Sequence, residues 1–283
     1  MNLAERQRPA PGEQFLDHVA HFVPDLDAAA ELLEKLGFAP TPVSHHEVSG
    51  KPAGTANRCL MLEQGYIEIL APTLDTPNAA RVRERMKSFV GVHLACFGTP
   101  AAEAEHARLT AHGFEPEPLI ALERKTQEGG LRFKVVYSPP GKMPEGRVQY
   151  CEHLTPQTLW SQRSLRHGNG VTGLVAVYVV ADDVAQTAAR WARFSAALPL
   201  FESDHAYLET ARGRIYIAKR ETLSRFLDHV PPPPALAGYA LATKNGRSFA
   251  RRCKQAGLEV REAGQGYSVS LPPALGGAWY FCK

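Results

Sequence analysis

The chain has 283 residues, 44% hydrophobic and 22% charged, which suits one large domain or two of ordinary size. Its net charge is only +3 and its basic residues alternate with acids, which excludes the basic face of a nucleic-acid binder. No apolar run approaches the roughly 18 residues of a membrane span, so no membrane association is expected.

The opening "MNLAERQRPAPGEQ" lacks the apolar segment of a signal peptide and reads as a disordered tail over residues 1–14. The five cysteines are odd in number and contain no C-x-x-C pair. Disulfides are therefore not expected, and the expected compartment is a reducing cytoplasm.

From His18 the chain reads "HVAHFVPDLDAAAELLEKLGF": a β-rich run, an Ala-rich helix with a leucine stripe, then Gly-Phe. The glycine is a natural helix terminator. Three strand-like runs follow, ending in "YIEILAP". The same order recurs from His93, "HLACFGTPAAEAEHARLTAHGF", and ends in "YCEHLTP". Both stretches read β-α-β-β-β. Fainter third and fourth copies begin at "TGLVAVYVVADD" and "GYALATKNG". The expected fold is thus α+β, with four βαβββ modules in two pairs. Each pair forms a curved mixed sheet around a cavity with helices outside. The expected domains are a first pair over 15–156, a linker over 157–172 and a degenerate second pair over 173–283.

Side chains alternate across a strand. Alignment of the two copies puts His18 with His93 and Glu68 with Glu152. Parity sets all four on the face turned away from the helices and leaves His21 and His153 as structural residues on the other. Two neutral imidazoles and two carboxylates suit a divalent ion such as Zn, Ni, Fe or Mn. The ion would also reconcile two buried carboxylates that otherwise raise each other's pKa. Tyr66 and Tyr150, two residues before each glutamate, are placed to line the cavity. Asn57 and Arg58 are candidate contacts for an anionic substrate, and His46 a candidate acid or substrate contact near the cavity mouth. His167 and Asn169 read as a turn. In the third copy Leu174 stands at the His18 position and Ala218 at the Glu68 position, and the fourth copy has no acid in "AWYFCK". No metal site is expected there.

This repeat, with its first-strand His and last-strand Glu, resembles the vicinal oxygen chelate superfamily of glyoxalase I, extradiol dioxygenases and bleomycin-resistance proteins. Residues 16–70 resemble bacterial glyoxalase-like domains, and "EHLTP" with the following "HGNG" is similar to segments of the same group. The resemblance implies that His18, Glu68, His93 and Glu152 are metal ligands, with Glu152 or Glu68 as a general base. A dioxygenase site would use His18, His93 and Glu152 alone. The implied activity is a metal-dependent lyase or isomerase acting on a small oxygen-chelating substrate. The alternatives are an Fe(II) extradiol-type dioxygenase and a non-enzymatic, resistance-type binding protein. The implied assembly is a monomer or homodimer.

Overall fold

The computed structural model describes residues 2–48, 50–126, 129–139 and 141–283, with the backbone alone for 124–126. The first half runs β1 (Phe15–Phe22), α1 (Leu26–Lys35), β2 (Ser44–Val48), β3 (Lys51–Met61), β4 (Tyr66–Pro72) and a connecting α2 (Pro77–Met86). It continues with β5 (Gly91–Gly98), α3 (Ala102–Ala111), β6 (Ile120–Thr126), β7 (Gly129–Tyr137) and β8 (Arg147–His153). A short α4 (Pro156–Leu159) leads to β9 (Val171–Val180), α5 (Val184–Ser195), β10 (Pro199–Phe201), β11 (His205–Glu209), β12 (Arg214–Ala218) and α6 (Arg220–Leu223). The last unit is β13 (Ala235–Thr243), α7 (Gly246–Gln255), β14 (Val260–Ala263), β15 (Gly266–Ser270) and β16 (Ala278–Cys282). Four βαβββ units are present, as the repeat predicts.

Local chemistry explains the repetition. Asp25 caps α1 by accepting from the Asp27 and Ala28 amides, and Asn245 caps α7 through the Ser248 amide. Three of the four module helices end alike. Gly37, Gly113 and Gly257 adopt φ near +80°, where a Cβ would be strained. The next amide then bonds back into the helix: Phe38 to Leu33, Phe114 to Leu109, Leu258 to Cys253. The buried faces of α1 and α7 carry Leu26, Ala29 and Leu33, and Phe249, Ala250 and Cys253.

Each half forms one eight-stranded sheet, in the orders β2-β3-β4-β1-β5-β8-β7-β6 and β10-β11-β12-β9-β13-β16-β15-β14. At the centre of each, the first strands of two modules pair antiparallel, and each pairs in parallel with the last strand of its own module. The helix-bearing faces of the two sheets merge into a single apolar core. It joins Leu16, Val19 and Phe97 of the first half to Val177, Trp191 and Leu241 of the second. Phe38 sits edge-on to Phe249 and Trp279, 6.0 and 5.8 Å between ring centres. Burying an aromatic or branched side chain contributes about 1.5–3 kcal/mol, so this seam binds the two halves together. The opposite, concave face of each sheet has its own separate apolar lining.

The seam also carries polar contacts. Buried Glu145 pairs with Arg190, and His21 Nε2 lies 2.9 Å from the Tyr239 hydroxyl. The stretch expected as a disordered tail instead contains a short 3-10 turn over Glu5–Gln7. Gln7 is buried and donates to the Glu63 carbonyl at 2.8 Å. Within the expected linker, Trp160 is buried and His167 Nδ1 accepts from the Ala39 amide at 3.0 Å. That histidine and Asn169, which donates to the Leu36 carbonyl, fasten the end of α1.

Candidate functional site

The concave face of the first sheet holds a cavity of about 580 Å³. Strand register decides which side chains enter it. On the first module His18 pairs with Tyr66 and Ala20 with Glu68. Across the central pair, His18 faces Cys96 and Ala20 faces Leu94. On the second module Leu94 pairs with Arg147 and Cys96 with Gln149. The pseudo-twofold axis therefore relates His18 to Leu94, Tyr66 to Arg147 and Glu68 to Gln149, and all six line the cavity. The second sheet puts Ala176, Tyr216, Gly238 and Tyr280 at the four positions equivalent to His18, Glu68, Leu94 and Gln149. Leu174 and Ala218 therefore do not hold the expected positions, although the second sheet offers no histidine or carboxylate there either.

His18 is the centre of the polar wall. Its Nδ1 lies 2.7 Å from Asp17 Oδ2; the carboxylate only accepts, so Nδ1 carries the proton and Nε2 presents its lone pair. That Nε2 lies 3.4 Å from the Tyr66 hydroxyl and 4.0 Å from Glu68 Oε2. The His18 ring stacks on Tyr66, 4.2 Å between centres. Glu68 is buried, and its Oε1 accepts from Asn57 Nδ2 at 2.5 Å. His46 approaches the same carboxylate from the β2–β3 hairpin. Its Nδ1 is 2.9 Å from the Thr55 hydroxyl and its Nε2 is 3.7 Å from Glu68 Oε1. Both imidazoles are thus tethered through Nδ1 and turn Nε2 toward Glu68, as metal-ligating histidines commonly do.

Behind His18 lies a buried charge pair. His153 Nε2 sits 3.1 Å from both oxygens of Asp17, which is wholly buried. Burial alone would lower the His153 pKa, but the Asp17 charge, the Cys151 thiol and the hydrogen bond to Asp17 together outweigh it and hold the imidazole at about 9. Burial would likewise raise the Asp17 carboxyl, yet its two imidazole partners keep it well below the usual carboxylate range. Asp17, His18 and Cys96 also bring one donor atom each within 4.8 Å of one another, a candidate metal cluster. Within it Asp17 is already engaged by two histidines, and burial pushes the Cys96 thiol up, toward its non-ligating protonated form.

The second-module residues expected in the site lie elsewhere. The register slips at His93, because Ala20 faces Leu94 while His21 faces Val92. The extra residue shifts the frame by one. The His93 ring stacks on Phe89 at 4.1 Å and its Nε2 lies 2.8 Å from the Phe89 carbonyl. Burial, and then the nearby Arg85 charge, outweigh that bond and lower its pKa to about 4. Glu152 points to the helix side, where Oε2 accepts from the Ala102 amide at 3.0 Å. Tyr150 is on the same side and donates to the Phe194 carbonyl at 2.9 Å. Arg58 leaves the cavity to pair with Asp27 at 2.8 Å, and Asn57 acts through Glu68. The structure thus brings His18, Glu68, Tyr66 and His46 together and separates His93, Glu152, Tyr150 and Arg58 from them. Sequence reading passed over Asp17, Arg85, Arg147 and Gln149, and set His153 on the opposite face as a structural residue. With Glu152 facing outward, alternation alone would have turned Gln149, Cys151 and His153 inward.

The expected four residues are thus not brought together, whereas three residues of the first module are. The residues that would hold a divalent ion are His18, Glu68 and His46: two imidazoles and one carboxylate, each already oriented by Asp17, Asn57 and Thr55.

Comparisons with known proteins agree with this architecture. No curated protein matches the chain. Among solved structures, a hypothetical protein from Staphylococcus aureus superposes with a TM-score of 0.68 at 15% identity, covering 95% of this chain and 98% of that one. A triple mutant of 4-hydroxymandelate synthase from Streptomyces coelicolor gives 0.55 at 14% identity, covering 96% and 93%. A xylose isomerase-like TIM barrel/4-hydroxyphenylpyruvate dioxygenase fusion protein gives 0.57 at 11% identity, covering 97% of this chain and 50% of that one. At such identities the likeness is one of fold. The model of the glyoxalase-like domain matches residues 16–195, more than half the chain and across the expected linker. With two sheets of paired βαβββ units and that match, the chain belongs to the glyoxalase-like domain family and has the vicinal oxygen chelate fold.

Proposed function

We propose that this protein is a metal-dependent enzyme acting on a small oxygen-bearing substrate in the cavity of its first sheet. One observation carries the proposal: two imidazoles, each tethered through Nδ1, turn Nε2 toward the two oxygens of Glu68. When bound, the metal supplies Lewis-acid polarisation of substrate oxygens. The chain supplies the rest. Asp17 holds the tautomer of His18, Asn57 holds Glu68, and Tyr66 braces the His18 ring. The apolar walls, including Phe22, Leu70 and Phe133, exclude water and strengthen each electrostatic contact. Glu68 is the carboxylate placed to accept a proton from substrate, which makes a lyase or isomerase step available. Glu152 has no such role.

The test is metal analysis of protein purified without chelator and then loaded in turn with Zn²⁺, Ni²⁺, Fe²⁺ and Mn²⁺. About one ion per chain is expected, lost in His18→Ala, Glu68→Ala and His46→Ala and retained in His93→Ala and Glu152→Ala. Absence of binding by all four ions, or retention in His46→Ala with loss in His93→Ala, would overturn the assignment.

A second reading is an Fe(II) dioxygenase. It is favoured by the composition of the donor set, since two histidines and one carboxylate are the ligands of non-haem iron oxygenases. Oxygen uptake by iron-loaded protein with catechol would support it. Ligand capture without turnover would instead indicate a sequestering protein.

A further inference from the structure

We propose that Arg85 and Arg147 form an oxyanion subsite in the same cavity, and that the ligand is an amphipathic acid with an apolar body. The inference rests on the reading of this cavity as a small-molecule site, but not on the presence of metal.

The cations of α2 show the contrast. Arg81 pairs with Glu117 at 3.4 Å, Arg83 with Asp75 at 2.9 Å and Lys87, at the helix end, with Glu84 at 2.6 Å. Arg85 has no carboxylate partner among the described residues, and neither has Arg147. Both are partly buried and both line the cavity. They line the same cavity, and burial, then the charge of Arg147, lower the pKa of Arg85. Two like charges held together out of bulk water cost free energy unless an anion joins them.

The geometry suits a planar oxyanion. The Arg147 guanidinium lies over the Tyr137 ring, 4.1 Å from its centre. Stacking occupies the flat face and leaves the N–H edge for bidentate bonding. The register gives the distance to the His18 and Glu68 wall. Arg147, Leu94, Ala20 and Glu68 lie in one row across four neighbouring strands. Three strand spacings put the backbones of Arg147 and Glu68 roughly 14 Å apart along the sheet. Between them the floor is apolar, with Phe22 on β1 and Leu94 on β5, and Leu70 and Val135 extend the apolar lining on either side. A ligand held by its anion at one end would thus lie on apolar surface with its other end at His18. A carboxylate and a phosphate monoester share this chemistry.

The test is calorimetric titration of the chelator-treated full-length protein with 3-phenylpropanoate, phenyl phosphate and the neutral 3-phenylpropan-1-ol. At least one acid is expected to bind ten-fold or more tighter than the alcohol, and the stronger acid identifies the anion. Arg85→Gln and Arg147→Gln should each reduce acid affinity at least ten-fold and leave the alcohol within two-fold. Arg83→Gln, on the exposed side of α2, should change neither. Equal binding of acid and alcohol, an equal loss in Arg83→Gln, or no binding of either acid would overturn the subsite. Metal content of the same preparations separates the two proposals: acid binding by protein that takes up no metal would sink the enzyme reading and leave this one standing.

Discussion

Asp17 and His18 are consecutive in β1, yet the Asp17 carboxylate accepts the Nδ1 proton of His18 at 2.7 Å. Neighbours on a regular strand point to opposite faces. Here the pairing of β1 with β5 slips between Leu16 and His18, and the extra residue brings both side chains to the concave side. The slip creates a carboxylate with two imidazole partners, one facing the cavity and one, His153, sealed behind it.

Asp17→Asn should therefore do two kinds of damage. It leaves the His153 charge buried without its partner, which costs about 3–5 kcal/mol when one member of such a pair is removed. It also frees the His18 ring, and loss of an outer-shell carboxylate weakens metal binding about 10–100-fold. Urea denaturation and metal titration read the two effects separately. Adding His153→Gln should restore much of the stability but none of the metal affinity. Unchanged stability in the single variant would show that the pair is not formed.

The two glutamates that look alike in sequence should behave differently. Glu152 accepts from the first amide of α3, a helix whose own cap residue, Ala101, makes no side-chain cap. Glu152→Ala should cost about 1 kcal/mol, as loss of a cap does, and leave metal content intact. Glu68→Ala should remove the metal. Metal loss in the Glu152 variant would restore the two-module site.

Acid should loosen the seam between the halves at His21. Its Nδ1–H donates to the Leu275 carbonyl at 3.0 Å and its Nε2 accepts from Tyr239 at 2.9 Å, so the neutral ring is fully satisfied. Burial lowers its pKa from 6.5 to about 4, against the opposing pull of the Leu275 carbonyl. The folded protein thus binds this proton less readily than the unfolded chain. The contribution is fully present above about pH 6.5 and is lost as pH falls through about 4, a difference of about 3 kcal/mol. His93, also lowered to about 4, adds to the same slope. His21→Gln should make stability less steeply dependent on pH between 6.5 and 4, without abolishing the dependence.

Gly276 marks how closely the halves approach. A Cβ there would stand 2.0 Å from the Val90 carbonyl oxygen, and its φ of +67° already disfavours other residues. Gly276→Ala should lower stability by more than the 1–2 kcal/mol of backbone strain alone, because β5 must shift. Gly113→Ala is the control: its φ is +77° but no atom lies within 4 Å of the added Cβ. Thermal unfolding of the two variants compares strain with strain plus clash.

Much of this fold was legible in the sequence. The first helix carries a cap, an apolar stripe and a terminal glycine; the fourth unit repeats the cap and glycine and the second the glycine, so local chemistry announces the repeat. His18 and Glu68 were legible for the same reason, since β4 pairs with β1 without a slip. His93 and Glu152 were misread because "YIEILAP" and "YCEHLTP" invite an alignment that the sheet does not use. The slip at His93 displaces one strand by a residue, and Gln149, not Glu152, becomes the partner of Glu68 across the pseudo-twofold axis.

The sequence by itself determined the four-unit repeat and its pairing into two sheets, because these depend on periodicity and on helix ends that act within a few residues, and its motifs carried the resemblance to the family. Only the tertiary structure decided which side chains share the cavity. A one-residue slip in pairing costs little locally but exchanges the two faces of a strand. The slip displaces His93, while β8 pairs with β5 in unbroken register, so that alternation along it sends Glu152 to the helices and leaves Arg147 and Gln149 in the cavity with His18 and Glu68.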